Sequence, residues 1–302
     1  MVATSDEWIV QRTGIKQRHV VSPGETATDL SIAAAKKALE DSGIDPLDIG
    51  MVIVGTVTSD RLFPSTACLV QHAIGAKNAG AMDLSAACAG YIYALGVADA
   101  LVKSGAHQNV LVVGMDVLTR HVDYKDRGTC ILFGDGAGAT MVSARENTDR
   151  GVLRTICLSD GSGAPLIRLD TGGTLHPASH QEEGEHYPYI QMAGSEVYRF
   201  AVTAINDACC RILEEEGIPS SDVDLFVPHQ ANLRIVRSAQ EKLGLPDERV
   251  FVNVDRFGNT SGASIPIALS EAVQMGKLKE GDLILTVGFG AGLVWGANLI
   301  RW

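Results

Sequence analysis

The amino-acid sequence predicts an α/β protein built from two related halves that pack in layers. Short apolar runs typical of buried strands alternate with longer segments of helical spacing, which is the pattern of α/β folds. The chain contains 32 glycines and only 5% aromatic residues, a composition that suits close-packed layers joined by tight turns. An internal repeat indicates, in addition, that the second half copies the first.

The repeat consists of matching residues at one constant separation. Three pairs lie 174 residues apart: Gly43 and Gly217, Ala94 and Ala268, and Gly114 and Gly288. A polar insertion at residues 116–130 changes the separation, and after it the GDGAG segment at 134–138 matches GFGAG at 288–292. We therefore predict an N-terminal half at residues 1–150 and a C-terminal half at residues 151–302, related by a pseudo-twofold axis.

The first half opens with residues 1–24, which are polar and are predicted to be irregular. A helix is predicted at 26–42, with Thr28 as its N-cap and Gly43 at its end. The later elements are a strand at 48–57, a helix at 65–73, a strand at 79–82, a turn at 83–88, a helix at 89–102, a strand at 110–114 and a strand that ends near residue 142.

The second half continues the alternation after a loop at 171–188. Its predicted elements are a helix at 196–216, a strand at 223–227, a helix that ends at 243, a strand at 250–254, a helix at 264–275, a strand at 283–287 and a last strand after the 288–292 segment. The loop contains His176, His180 and His186, whose spacing matches no standard zinc pattern. We expect a surface loop there, and no metal site.

Composition and charge narrow the class of protein. A net charge of −11 over 302 residues argues against a general nucleic-acid binder. No apolar run is long enough to span a bilayer and no signal-peptide pattern opens the sequence, so we expect a cytoplasmic protein with no membrane partner. The six cysteines form no CxxC pair, which favours reduced thiols.

Cys88 lies in a small-residue turn between a predicted strand and a predicted helix. A thiol at a helix N-terminus is close to the positive end of the helix dipole, which favours the thiolate, the form that attacks thioesters. The alternative is a small buried core cysteine. The repeat makes the turn at Asn259 the counterpart of the Cys88 turn, and His229 follows a neighbouring strand. Because sites in α/β sheets lie beyond the carboxyl ends of strands, we expect the three residues to meet, although Asn259 alone is equally typical of a plain turn.

At these residues the sequence resembles the thiolase-fold condensing enzymes, and specifically the β-ketoacyl-[acyl-carrier-protein] synthase III family. The resemblance covers nearly the whole chain and rests on the segments TSDEWI (4–9), RTGI (12–15), AACAG (86–90), DRGT (126–129), FGDGAG (133–138), VPHQANLR (227–234) and GNTS (258–261). It implies a thiolase-like fold with an α-β-α-β-α core. The family has a strand ahead of the TSDEWI segment, so the first strand of the N-terminal half is expected to be missing.

The resemblance also implies a reaction that starts fatty acid synthesis. Cys88 would be acylated by an acyl-CoA primer, with acetyl-CoA expected, and malonyl-ACP (ACP, acyl carrier protein) would then lose CO2 and attack the acyl group. His229 and Asn259 would donate hydrogen bonds to the enolate, and the backbone N–H groups of Cys88 and Gly292 would form the oxyanion hole. No cofactor is expected, because the CoA thioester and the phosphopantetheine arm are substrates.

Further roles follow from the resemblance for binding residues. Trp8 and Arg127 would sandwich the adenine of CoA, Arg12 would meet a phosphate and Asn232 the pantetheine amides. Trp8 as a hydrophobic anchor of the N-terminal segment is the alternative. Phe63 would close the acyl pocket across a homodimer interface.

The expected carrier-protein segment is Gln230, Ala231, Asn232, Leu233 and Arg234. On the helix that follows, Arg237 and Lys242 would extend it as a basic patch for an acidic carrier. A solvated helix face is an equally good interpretation of these last two residues.

Three rival functions remain for comparison. One is a related CoA-dependent acyltransferase or condensing enzyme of secondary metabolism. A thiolase needs a second catalytic cysteine near the 288–292 segment, which has none. A non-catalytic thiolase-fold protein would have lost one of Cys88, His229 and Asn259, all of which are present.

Overall fold

A computed structural model of the chain describes residues 2–146, 148–177 and 187–302. The helices are α1 (Asp6–Thr13), α2 (Ala27–Ser42), α3 (Thr66–Ala73), α4 (Gly90–Lys103), α5 (Arg127–Cys130), α6 (Gly194–Glu216), α7 (Leu233–Leu243), α8 (Val254–Phe257) and α9 (Ser264–Gln274). The strands are β1 (Met51–Gly55), β2 (Gly80–Leu84), β3 (Asn109–Val117), β4 (Asp135–Ser143), β5 (Gly151–Ser159), β6 (Ile167–Arg168), β7 (Gln191–Met192), β8 (Leu225–Pro228), β9 (Leu283–Gly290) and β10 (Val294–Arg301).

Two four-stranded sheets carry the fold, with strand orders β2-β1-β3-β4 and β5-β10-β9-β8. Helices α4 and α9 pack between the sheets, where Leu95 and Leu269, one repeat apart, share one core cluster. Helices α2 and α3 cover the outer face of the first sheet, and α6 and α7 that of the second. The predicted α-β-α-β-α layering is confirmed.

The N-cap of helix α2 lies two residues earlier than predicted. Thr26, not Thr28, is the N-cap: its hydroxyl accepts from the Asp29 N–H, and the Asp29 carboxylate accepts from the Thr26 N–H. Such a reciprocal capping box satisfies two otherwise unpaired backbone donors. Thr28 lies inside the first turn, where its N–H donates to the Asp60 carboxylate at 3.0 Å. The predicted end at Gly43 is confirmed, with φ of 65°.

Two other predictions about local structure are wrong. Residues 1–24 are not wholly irregular, because α1 forms there, with the Ser5 hydroxyl accepting from the Trp8 N–H at 3.2 Å. The predicted strand at 250–254 is reduced to one isolated bridge at Val250. The Gln230 side-chain oxygen accepts hydrogen bonds from the backbone N–H groups of Asn253 and Val254. Those N–H groups are therefore not available for the hydrogen bonds of a longer strand.

The two sheets differ at one edge. Strand β10 pairs on one side with β9 and on the other with β5, whereas its counterpart β4 pairs with β3 and has no second partner among the described residues. A cavity of about 930 Å³ runs beside β4 and α4.

Two of the sequence expectations concern membranes and metals. Within the described ranges, no helix is both long and apolar enough to cross a membrane. Nor do those ranges contain a group of three or more His, Cys, Asp or Glu side chains that could hold a metal ion. His180 and His186 lie outside the described residues.

Candidate active site

The turn that holds Cys88 forms where it was predicted. Strand β2 ends at Leu84, a 3-10 turn covers Ala87–Ala89, and α4 begins at Gly90. Ala87 has φ of 44°, a left-handed conformation that is uncommon for residues other than glycine and turns the chain sharply. Cys88 therefore lies at the N-terminal end of a buried helix and is 9% exposed.

The Cys88 thiol is protonated at neutral pH. Burial raises its pKa to about 12, although the Ser261 hydroxyl, which donates to Sγ at 3.2 Å, acts in the opposite direction. The expectation that the helix N-terminus leaves a thiolate is therefore wrong for the empty site, because removing the sulfur from water disfavours its charged form more strongly. Any reaction at this sulfur as a nucleophile would require the thiol to lose its proton.

His229 comes directly after β8 and is wholly buried. Its backbone N–H donates to the Val287 carbonyl at 2.7 Å, and its ring lies edge-on to Phe289 at 5.6 Å between centroids. Burial lowers the pKa of the imidazole to about 3, so the ring is neutral at physiological pH. Nδ1 lies 2.6 Å from the Ser264 hydroxyl, whereas Nε2 has no hydrogen-bond partner in the described part of the chain.

Backbone hydrogen bonds hold Asn259 in place, and one contact of its side chain shows which way the side-chain amide is oriented. The Asn259 N–H donates to the Leu132 carbonyl and the Asn259 carbonyl accepts from the Gly134 N–H, both at 2.9 Å. The side-chain Oδ1 accepts from the Ser261 N–H at 2.9 Å. A backbone N–H can only donate, so the atom it touches must be the amide oxygen, and the NH2 group is left for the cavity.

Cys88, His229 and Asn259 line one small cavity of about 100 Å³. Its other walls are mostly apolar and include Phe133, Val197, Ile235 and Phe289. The structure thus brings together the three residues that the repeat had placed at neighbouring turns. A thiol, a neutral imidazole and a side-chain amide in a largely apolar cavity suit chemistry in which negative charge develops on an oxygen.

The oxyanion role expected for the Gly292 N–H stays a prediction, and the structure shows which glycine of this segment approaches Cys88. Gly290, not Gly292, lies against Cys88: a Cβ atom on Gly290 would be 2.6 Å from the Cys88 backbone nitrogen. Gly290 also lines the cavity, whereas Gly292 is not among its described lining residues and would place a Cβ against Val294. Only glycine allows β9 to approach the Cys88 turn so closely.

Comparison with known proteins decides the family. Sequence models of 3-oxoacyl-[acyl-carrier-protein] synthase III match residues 82–161, and of its C-terminal part residues 213–302. A β-ketoacyl-[acyl-carrier-protein] synthase III from Caldanaerobacter subterraneus subsp. tengcongensis is 47% identical over all of this chain and 91% of its own length. One from Bacillus anthracis is 48% identical over 99% of this chain and 91% of its own.

The chain belongs to the β-ketoacyl-[acyl-carrier-protein] synthase III family. A solved 3-oxoacyl-[acyl-carrier-protein] synthase III from Aquifex aeolicus VF5 superposes with a TM-score of 0.92 at 46% identity, covering 100% of this chain and 92% of that one. The resemblance inferred from the sequence is confirmed, and so is the thiolase-like fold. Membership makes the chain a condensing enzyme of the acyltransferase class.

The four residues predicted to bind CoA contact one another in a connected group, of which Asn232 lines the cavity. The Arg127 guanidinium carbon lies 4.6 Å from the centre of the Trp8 ring and that of Arg12 lies 5.7 Å from it. Arg127 and Trp8 therefore stack on each other in the empty protein, and an adenine between them would have to separate them. Asn232 lines the cavity, but its amide already donates to the Arg12 carbonyl and accepts from the Arg234 N–H.

The predicted carrier-protein segment divides into buried and exposed parts. Gln230 is completely buried, and its side chain bonds to the backbone carbonyls of Pro228 and Phe251, so it cannot contact a carrier protein in this conformation. Ala231 is also buried and lines the cavity.

Further along the segment, side chains become accessible. Leu233 is partly buried against the cluster that contains Ile9, and the Arg234 guanidinium lies 5.3 Å from the Tyr198 ring centre. Arg237 forms an ion pair with Asp247 at 2.6 Å, which offsets its charge in the predicted basic patch. Arg234 is thus better placed than Arg237 to meet an acidic partner.

Phe63 lies away from the cavity within this one chain. It is 84% exposed, next to Leu62 at 82%. The pocket role implied by the resemblance required a second subunit, so that role stays a prediction.

Three further residues contribute to the site and were not predicted from the sequence. Ser261 belongs to the quoted GNTS segment, yet its hydroxyl contact with Cys88 was not foreseen. Phe289 packs on the His229 ring, and it belongs to the 288–292 segment, of which only the glycines were used in the prediction. Asp116 was assigned to a polar insertion, but it is buried and accepts the Gly262 N–H at 3.1 Å, which ties the Ser261 turn to the first half.

Proposed function

We propose that the chain catalyses the decarboxylative condensation of an acyl-CoA primer, with acetyl-CoA preferred, and malonyl-ACP. The products are β-ketoacyl-ACP, CO2 and CoA, and the reaction initiates fatty acid synthesis. The observation that carries the proposal is the meeting of Cys88, the unpartnered His229 Nε2 and the Asn259 amide at one small cavity.

In the first half-reaction the Cys88 sulfur attacks the primer's thioester carbonyl. The thiol proton leaves with CoA, which is released as a thiol, and Cys88 becomes an acyl thioester. The backbone N–H of Cys88 supplies oxyanion stabilisation, and a donor of this kind is worth about 3 kcal/mol. Because burial raises the pKa of the Cys88 thiol to about 12, the sulfur is uncharged before the primer binds, and in this scheme its proton passes to the departing CoA sulfur.

In the second half-reaction the malonyl thioester loses CO2 and its thioester oxygen becomes an enolate oxygen. Hydrogen bonds from His229 Nε2 and Asn259 Nδ2 stabilise that charge, and neither donor is itself charged. The carbanion attacks the acyl carbonyl and expels the Cys88 thiolate, which regains a proton from solvent. No cofactor takes part in this scheme.

The small cavity supports a short primer. We further propose that CoA and the carrier protein's arm enter past Trp8, Arg12, Arg127 and Asn232, and that Arg234 meets the carrier. The exposed Leu62 and Phe63 support a homodimer in which these side chains are covered. A cytoplasmic location is consistent with the free cysteines of the described residues.

The test is a reaction of wild-type protein with malonyl-ACP and a panel of acyl-CoA primers, scored for CO2 and for β-ketoacyl-ACP. The proposal predicts both products in equal amounts, with most turnover from acetyl-CoA. Transfer of the acyl group to another acceptor, with CoA released but no CO2 formed, would favour the related acyltransferase and would contradict the proposal.

A further inference from the structure

Ser264 contacts the side of His229 that faces away from the cavity. It is the first residue of α9 and is 2% exposed. Its hydroxyl oxygen lies 2.6 Å from His229 Nδ1 and 3.3 Å from the Gln230 backbone nitrogen. The hydroxyl therefore has two close neighbours, and their chemistry decides the direction of each hydrogen bond.

The Gln230 backbone N–H can only donate, so the Ser264 oxygen is the acceptor of that bond. The Ser264 hydroxyl hydrogen remains, and His229 Nδ1 is the acceptor within reach. A neutral imidazole carries its one proton on the nitrogen that is not accepting. With Nδ1 accepting from Ser264, the proton is on Nε2.

The opposite tautomer fits the surroundings poorly. It would make the Ser264 oxygen accept a second hydrogen bond, from Nδ1–H in addition to the Gln230 N–H, and would leave the hydroxyl hydrogen without the Nδ1 acceptor. It would also turn the lone pair of Nε2 toward the cavity, where it would repel an enolate oxygen. Nε2 is buried and has no partner among the described residues, so a protonated Nε2 is a donor reserved for a ligand.

We propose that Ser264 is a positioning residue that holds His229 as the Nε2–H tautomer with its ring fixed for the decarboxylation half-reaction. This role rests on the proposed function. Ser264 itself touches neither substrate nor the cavity and acts only through His229. Acylation of Cys88 precedes decarboxylation and does not use the Nε2–H donor in the scheme above, so the two half-reactions respond differently to loss of the hydroxyl.

The test compares Ser264→Ala with Ser264→Thr, which keeps a hydroxyl, and with Ser270→Ala, a control at an exposed serine of the same helix. Nitrogen-15 NMR of labelled histidine identifies the His229 tautomer in each protein. Separate assays follow Cys88 acylation by acetyl-CoA and CO2 release from malonyl-ACP. Loss of a hydrogen bond that orients a histidine ligand in a metal site lowers metal affinity or activity by about 10- to 100-fold. We expect a similar loss in the rate of CO2 release here.

Wild type, Ser270→Ala and Ser264→Thr are expected to show only the Nε2–H form. Ser264→Ala is expected to show a mixed or mobile imidazole, slower CO2 release by that factor and an unchanged acylation rate. A wild-type His229 protonated on Nδ1, or equal losses in both half-reactions with the tautomer unchanged, would overturn the proposal. If wild-type protein releases no CO2 from malonyl-ACP, the proposed function fails, and the NMR spectra still decide the tautomer.

Discussion

Replacing Asn259 by aspartate separates its hydrogen-bond donor from its role in the turn. The Oδ1 atom of Asn259 accepts from the Ser261 N–H at 2.9 Å, and an aspartate oxygen can accept the same bond. The other polar group of the side chain changes from an NH2 donor to a carboxylate oxygen, which cannot donate. Asn259→Asp therefore keeps the local backbone and removes the group that we assign to the enolate.

The size of the effect follows from the geometry of the cavity. Loss of one preorganised donor to a developing oxyanion costs about 3 to 4 kcal/mol, or about 10²- to 10³-fold in rate. Asn259 is 7% exposed, so a charged aspartate would add repulsion that water screens poorly. We expect CO2 release from malonyl-ACP to fall by at least 10²-fold.

The assay measures the two half-reactions separately in single turnovers. Acylation of Cys88 by acetyl-CoA is followed by intact-protein mass, and CO2 release by a coupled assay. Asn259→Ala, which removes both the donor and the Ser261 contact, serves as the comparison and is expected to unfold at a lower temperature than Asn259→Asp. An Asn259→Asp protein with wild-type CO2 release, or one whose acylation falls as much as its decarboxylation, would refute the assigned role.

Three further predictions concern stability and protonation. Gln230→Ala removes hydrogen bonds to four backbone groups and should lower the free energy of unfolding in urea by about 3 kcal/mol or more. Gln274→Ala at an exposed site should change it little, and equal effects of the two substitutions would contradict this contribution. Because the Cys88 thiol has a pKa of about 12, its alkylation by iodoacetamide should accelerate about tenfold per pH unit from pH 7 to 10, and a plateau below pH 9 would contradict the burial argument. Burial lowers the pKa of His229 to about 3, so below pH 6.5 this histidine gains a proton in the unfolded chain but not in the folded protein. The free energy of unfolding of the wild type should therefore fall by up to about 1.4 kcal/mol per pH unit as the pH falls from 6.5. His229→Gln should lack that contribution.

Local signals in the sequence were sufficient for the alternation of strands and helices, the two related halves and the Cys88 turn, whereas the five-layer order was implied by the family resemblance. A small-residue segment between a strand and a helix defines that turn, and the repeat of Gly114 at Gly288 relates the two halves. From these, the meeting of Cys88, His229 and Asn259 could be predicted before any coordinates. These features depend on residues that are adjacent in the sequence or on repeated residues at a constant sequence separation. Both kinds of pattern are visible in a single sequence.

Features that depend on tertiary contacts could not be predicted in the same way. Burial of Cys88 reversed the expected direction of its pKa shift, because desolvation comes from distant elements. Gln230 lies in a polar segment that suggests exposure, yet its bonds reach carbonyl and N–H groups more than twenty residues away. The close approach of Gly290 to Cys88 joins β9 to the turn before α4, and no local pattern in the sequence indicates that contact.

The central claim is that Cys88 carries the acyl group between the two half-reactions. The most direct measurement is the mass of the protein after incubation with acetyl-CoA alone, for wild type and for Cys88→Ala, followed by addition of malonyl-ACP. We predict one acetyl group on the wild-type peptide that contains Cys88, none on the variant, and its discharge by malonyl-ACP together with CO2. Equal labelling of both proteins, or an acetyl group that malonyl-ACP does not remove, would contradict the account.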